Sequence, residues 1–248
     1  GRRLLLGPLL AVAFMMALAD NLRAVMWVAV MPAFLSVAVL TIYVREPEPA
    51  NGPAARSPIA LADMRRLPWR YWLVVLLGAV FALARFSEAF LILRAQEVGL
   101  GIAYVPAVMI VMNIFYAGAA YPAGAAADRM RPHTLLLFGL ALLIAADCLL
   151  ALAASPPTAF AGAALWGLHM AFTQGLLSKL VADSAPAALR GTAFGMFNLI
   201  TGGALLLASV IAGALWSTYG APATFLAGAT FAIIAAVGLF ARRPHRAA

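Results

Sequence analysis

Arg85 and Glu88 stand three residues apart in ALARFSEAFLILR, inside a run that is otherwise apolar. Charge at such depth in a bilayer is costly, at the lowest estimate about 2.5–3.5 kcal/mol per charged residue at a helix centre. Ionisable groups kept there usually face a protein interior or a watery cavity and mark a pathway. The i,i+3 spacing puts both on one helix face, where they can pair. The guanidinium of Arg85 is a planar fork suited to an anionic group of a substrate. The carboxyl of Glu88 can take up and release a proton, because burial and a nearby cation act on it in opposite senses. The competing reading is a buried structural ion pair.

His169 adds a second candidate. Histidine titrates nearest neutral pH and suits a proton relay, although a packing histidine fits equally well. Trp166 at i−3 and Thr173 at i+4 share its helical stripe. At 1.5 Å of rise per residue, Arg85 lies about 21 Å and Glu88 about 25 Å from the start of their span. His169 lies about 20 Å from the corresponding end of its own, and Asn113 falls at nearly the same height. Four polar groups from three helices are thus expected in one layer. Tyr116, Gln174 and Asn198 read as interhelical hydrogen-bond partners. Cys148 is the only cysteine, so the chain has no internal disulfide and no CxxC metal pattern. No HExxH, GxSxG or paired-aspartate pattern is present, so neither metal nor cofactor is expected and the chain does not read as an enzyme.

These residues are positioned by apolar helices. Of 248 residues, 65% are hydrophobic and 10% charged, with a mean hydropathy of +0.97. Soluble domains average about 45–50% apolar and about 25% charged, so an integral membrane protein in a lipid bilayer is the class that fits. The net charge of +8 does not imply nucleic acid, since the arginines sit in short loops beside the spans. Spans are expected at 4–19, 25–44, 71–94, 103–124, 134–154, 159–182, 191–216 and 222–241, each near the ~20 residues a crossing needs. The breaks carry turn chemistry, among them GLG before Ile102, SPP at 155–157 and STYGAP at 217–222. The first run is short for a bilayer, and its beginning is expected to lie upstream of Gly1.

With the N-terminus inside, fourteen basic residues fall on one side and only Arg23 and Arg94 on the other. That asymmetry predicts both termini in the cytoplasm. The abundance of arginine and alanine points to a bacterial genome, hence to a cytoplasmic (inner) membrane. Trp27, Trp69, Tyr71, Trp72, Trp216 and Tyr219 fall at span ends and are expected to form an aromatic belt. Residues 45–70 are the longest polar stretch. Their first part is rich in Pro, Ala and Gly and reads as a cytoplasmic linker, with Ser57-Pro58 able to open a short helix.

After the fourth span comes GAAADRMRPH, with Gly124, Asp128, Arg129 and Arg131. It resembles the GxxxD(R/K)xxR loop of the major facilitator superfamily, with Arg131 where a glycine is usual. The stretch 181–198, which includes Arg190, resembles the same superfamily's loop 10–11 and the start of helix 11. Gly7-Pro8 resembles its helix 5 pair, without the flanking glycines of the antiporter motif. The resemblance covers essentially the whole chain as helices 5 to 12. It implies an all-α polytopic membrane protein with eight transmembrane helices, an MFS-type bundle lacking the first four. Residues 1–44 would be the last two helices of the N-terminal half, 45–70 the linker, and 71–248 the six-helix C-terminal half.

The resemblance further implies that helices 7 and 10 line a cavity, that 8 and 11 form the interface between halves, and that 9 and 12 face lipid. Asp147 in helix 9 is therefore expected at an outer position, packed against a neighbour and not coupling. Asp128 is expected to meet a helix N-terminus at residues 1–4. The function implied is alternating-access transport of a small organic solute, proton-coupled or facilitated; Arg85 for its part suggests a substrate bearing a carboxylate or similar anionic group. Partners would be that solute, the proton, the bilayer and the missing N-terminal helices. The alternatives are a non-transporting membrane partner or sensor on the same fold and, behind it, a membrane-embedded enzyme.

Overall fold

The computed structural model describes residues 22–43 and 64–241. The first span with Gly7-Pro8, most of the linker with Ser57 and Pro58, and the contact expected at residues 1–4 lie outside the described residues. What is described is entirely helical. Helix α1 (Leu22–Tyr43, with Pro32 inside) is followed by α2 (Trp69–Leu83), α3 (Ala89–Glu97) and α4 (Val105–Arg129). Then come α5 (Pro132–Ala151), α6 (Pro156–Ser184), α7 (Arg190–Tyr219) and α8 (Ala221–Ala241). None of the described side chains of α1 is buried.

The expected turns are where the chain turns. Ser155 and Thr158 form a capping box at the start of α6, which satisfies amide hydrogens the first turn leaves unpaired. Gly220 ends α7 at φ 82°, a left-handed backbone that glycine adopts without a Cβ penalty.

Among the described residues, four stretches are long and apolar enough to cross a membrane: Ile102–Arg129, Pro132–Ala151, Ala187–Tyr219 and Ala221–Phe240. Helix α6, at 29 residues, is long enough but less apolar, because it carries His169, Thr173, Gln174, Ser178 and Lys179. The expected span 71–94 is the main departure. It is two helices, α2 and α3, interrupted at residues 84–88.

The interruption is stabilised from across the bundle. The Ser87 amide donates to Ser209 Oγ of α7 at 3.1 Å, and the Phe90 amide donates to the Ser87 carbonyl at 3.1 Å. Broken helices survive at membrane depth only where neighbouring groups satisfy the freed backbone. Phe86 projects from the break into the main core, 5.3 Å between ring centroids from Trp166 and 5.4 Å from Phe225.

Helix α6 packs on α4 and α5, α5 on α8, and α2 on α7. Small residues permit the closest approaches, since dispersion and close packing drive helix association in lipid. At Gly167 a Cβ would fall on the Met112 carbonyl of α4, and at Gly162 it would meet Leu150. Arg94, expected at the outer end of the span 71–94, is buried, 7% exposed. Its guanidinium donates to the carbonyls of Leu150, Ala151 and Ala153 at 2.8–3.1 Å and pairs with Glu97 at 2.8 Å. It thus closes the C-terminal end of α5, whose last carbonyls have no partner within the helix.

The aromatic belt is only partly a belt. Trp27, Trp69 and Tyr219 are exposed, but Tyr71 is fully buried and donates its hydroxyl to the Ala193 carbonyl at 2.9 Å. Trp216 packs on Phe90 and Phe225.

Candidate functional site

The break in the 71–94 span opens onto a cavity of about 250 Å³ walled by α2, α6, α7 and Arg85. Its polar wall is Arg85 from the break, His169, Thr173, Gln174 and Ser178 from α6, and Asn198 with Thr201 from α7. Of the candidate site residues, Arg85, His169 and Thr173 share this wall. His169 is 2% exposed, with Nδ1 2.7 Å from the Gly139 carbonyl. A carbonyl only accepts, so Nδ1 carries the hydrogen and Nε2 of the neutral ring is left as an acceptor. Thr173 Oγ1 donates to the His169 carbonyl at 2.8 Å, and its methyl fills the space beside Gly139.

The expected Arg85–Glu88 ion pair is not formed among the described residues. The reason is the break: with residues 85–87 not helical, i,i+3 spacing no longer stacks the two side chains. Glu88 is half-buried at the start of α3 and does not line the cavity. Asn113 and Trp166 also stand apart from it. The Asn113 amide donates to the Met109 carbonyl of its own helix at 2.7 Å. Trp166 is fully buried on the core side of α6, against Phe86, because i−3 from His169 turns toward the break and not toward the opening.

Gln174 plays both parts. It lines the cavity and accepts a hydrogen bond from the Tyr116 hydroxyl at 3.4 Å. Asn198, Thr201 and Ser178 were not read as site residues from the sequence. The i,i+3 pair Asn198–Thr201 on an otherwise apolar helix was the available signal.

At the far end of α4, Asp128 Oδ1 is 2.7 Å from Lys179 Nζ of α6, and both side chains are exposed. Arg129, Arg131 and Arg190 are exposed, and Gly124 has open space beside it. The motif aspartate therefore ties α4 to α6 across 51 residues of chain. It does not cap its own loop.

The architecture and the motif meet in the comparison with known proteins. The sequence pattern of the Major Facilitator Superfamily matches residues 83–248, which include the break, the cavity wall from α6 and α7, and the Asp128 loop. The chain belongs to the Major Facilitator Superfamily. It is also 30% identical over 236 residues to a protein of Methanocaldococcus jannaschii described as an uncharacterized MFS-type transporter. That similarity covers 93% of this chain and spans 58% of the length of the archaeal protein. As a Major Facilitator Superfamily member the chain is an integral membrane protein of a transporter family, not one of enzymes. Its arginine at a helix break stands on the cavity wall.

Proposed function

We propose that this chain is the C-terminal portion of an alternating-access transporter for a small organic solute carrying a carboxylate or similar anionic group, coupled to protons. The observation that carries the reading is Arg85, in no salt bridge among the described residues although Glu88 acts on it from beyond contact, where residues 84–88 leave the helix on the wall of a cavity of about 250 Å³. Discontinuous helices at the midplane commonly form the binding sites of secondary transporters. Opposite Arg85, His169, Gln174, Asn198 and Thr201 offer donors and acceptors to the rest of a solute. Residues 71–248 are the six-helix half, joined by the linker at 45–70 to residues 1–44 of the other half. The other half completes the cavity. The arginine-rich loops support an orientation with both termini in the cytoplasm, and the abundance of arginine and alanine supports a bacterial cytoplasmic membrane.

Glu88, half-buried next to the break, is the group that loads the coupling proton at the substrate side. The test uses vesicles carrying the complete transporter and panels of small anionic, neutral and cationic solutes. Uptake of anionic solutes that follows an imposed pH gradient supports the reading. Glu88→Gln should then abolish uphill accumulation while sparing exchange. Unchanged gradient-driven accumulation in that variant would remove Glu88 from the mechanism, and uptake of cations alone would refute the substrate class.

A further inference from the structure

Asp147 lies about one turn before the C-terminal end of α5, is 0% exposed, and neither carboxylate oxygen has a hydrogen-bond partner among the described residues. It is not at an outer position. Its Oδ2 is 2.8 Å from the point where a Cβ of Gly228 would stand on α8, and Cε1 of Phe86 is 2.9 Å from the same point. The missing side chain at Gly228 is therefore what leaves room for the carboxyl.

Among the described residues no cation forms an ion pair with it: Arg94 of α3, at the same end of α5, spends its donors on the Leu150, Ala151 and Ala153 carbonyls and on Glu97. Helix α8 carries no ionisable residue over Ala221–Ala241. On α6, Thr173 meets Gly139 and Gly162 meets Leu150. This antiparallel register sets Asp147 level with Leu165 and Trp166. Trp166 Nε1 is another buried polar atom lacking a partner. The ionisable groups of α6 are His169, bonded to the Gly139 carbonyl two turns along α5, and Lys179 and Asp183 near its end. Those of α4 nearest an end are Asp128 and Arg129, in its last turn, with Tyr116 and Tyr121 before them. From the break the nearest side chain is Phe86, with Arg85 before it and Glu88 two residues after.

An ionised carboxylate needs a cation, water or several donors, and a site with none of these admits only the neutral acid. We propose that Asp147 is a proton-binding site of the six-helix bundle, holding its proton in this packing and releasing it when Phe86 moves aside. Release is a simple dissociation. The acid loses H⁺ to water entering from the cavity side, and the carboxylate left behind is stabilised by that water or by Arg85. Phe86 covers the acid and the adjacent Arg85 lines the cavity, so one rearrangement of residues 84–88 would move both. In that way binding of an anion at Arg85 and occupancy of Asp147 by a proton become linked. The linkage rests on the transport reading above, whereas the proton site itself does not.

The test is infrared spectroscopy of the chain in lipid, with aspartate labelled by carbon-13 at its carboxyl carbon. At neutral pH and above, the neutral-acid C=O band should be present, shift with the label, and vanish in Asp147→Asn. The other described aspartates, Asp128 and Asp183, are exposed; Asp20 and Asp63 carry the label too, and Asp20→Asn and Asp63→Asn should leave the band in place, which assigns it to Asp147 even if Asp147→Asn fails to fold. On transfer to heavy water the band should exchange slowly, and Phe86→Ala should speed exchange by roughly tenfold or more, as expected when a local opening barrier is removed. The absence of a label-sensitive acid band, its persistence in Asp147→Asn, or exchange as fast in the unsubstituted chain as in Phe86→Ala would each overturn the proposal. No substrate enters the measurement, so it is decided separately from the transport reading.

Discussion

Ser209 Oγ of α7 accepts the amide hydrogen of Ser87 at 3.1 Å while donating its own hydrogen to the Leu205 carbonyl at 2.8 Å. One hydroxyl therefore satisfies the open backbone of the break and anchors it to a helix 122 residues away. Ser209→Ala should leave the Ser87 amide unpaired, at a cost of about 1–3 kcal/mol. Ser209→Thr, which keeps the hydroxyl, should lose less. Thermal unfolding in detergent measures the difference, and equal melting of the alanine variant and the parent would show that the break does not depend on this bond.

Arg94 is expected to matter more for stability than its place near a span end suggests. Its guanidinium reaches three backbone carbonyls at the end of α5, and hydrogen bonds to charged groups contribute about 1.5–3 kcal/mol each. Arg94→Ala should destabilise by at least about 3 kcal/mol. Arg94→Lys should recover only part, because an ammonium cannot span the same acceptors. Denaturation midpoints for the three proteins in one detergent check the order. An alanine variant as stable as the parent would mean that the clamp carries nothing.

Gly167 and Gly118 make a matched pair. A Cβ at Gly167 would meet the Met112 backbone, which cannot move aside as a side chain can, whereas nothing lies within 4 Å of the same point at Gly118. Gly167→Ala should cost about 1–3 kcal/mol through overpacking. Gly118→Ala should be neutral or favourable, since alanine in a helix is better than glycine by about 1 kcal/mol. The same unfolding assay reads both, and similar effects at the two sites would refute the close α4–α6 contact.

Much of the architecture was legible because the bilayer imposes it. Apolar length set the spans, and SPP, GLG and STYGAP marked their ends. The break was not legible, since residues 79–98 contain neither Pro nor Gly. The group that satisfies its open backbone, Ser209, is far away in sequence. Helical rise located the height of Arg85, His169, Asn113 and Trp166 but not the direction each faces. Arg85 and His169 turned to the cavity, while Asn113 bonded its own helix and Trp166 entered the core. The pairing of Asp128 with Lys179 was equally out of reach, because α6 meets α4 only once both are packed.

The central claim is that Arg85 on the cavity wall recognises an anion, and counterflow in vesicles carrying the complete transporter tests it most directly. A labelled anionic solute taken up by the parent should exchange at least about tenfold more slowly with Arg85→Ala, the factor for losing about 1.4 kcal/mol of binding. Arg85→Lys should restore part of the exchange, because charge returns without the bidentate fork. Neutral solutes, if carried at all, should be unaffected. Exchange of the same anion at the parental rate in Arg85→Ala would contradict the account.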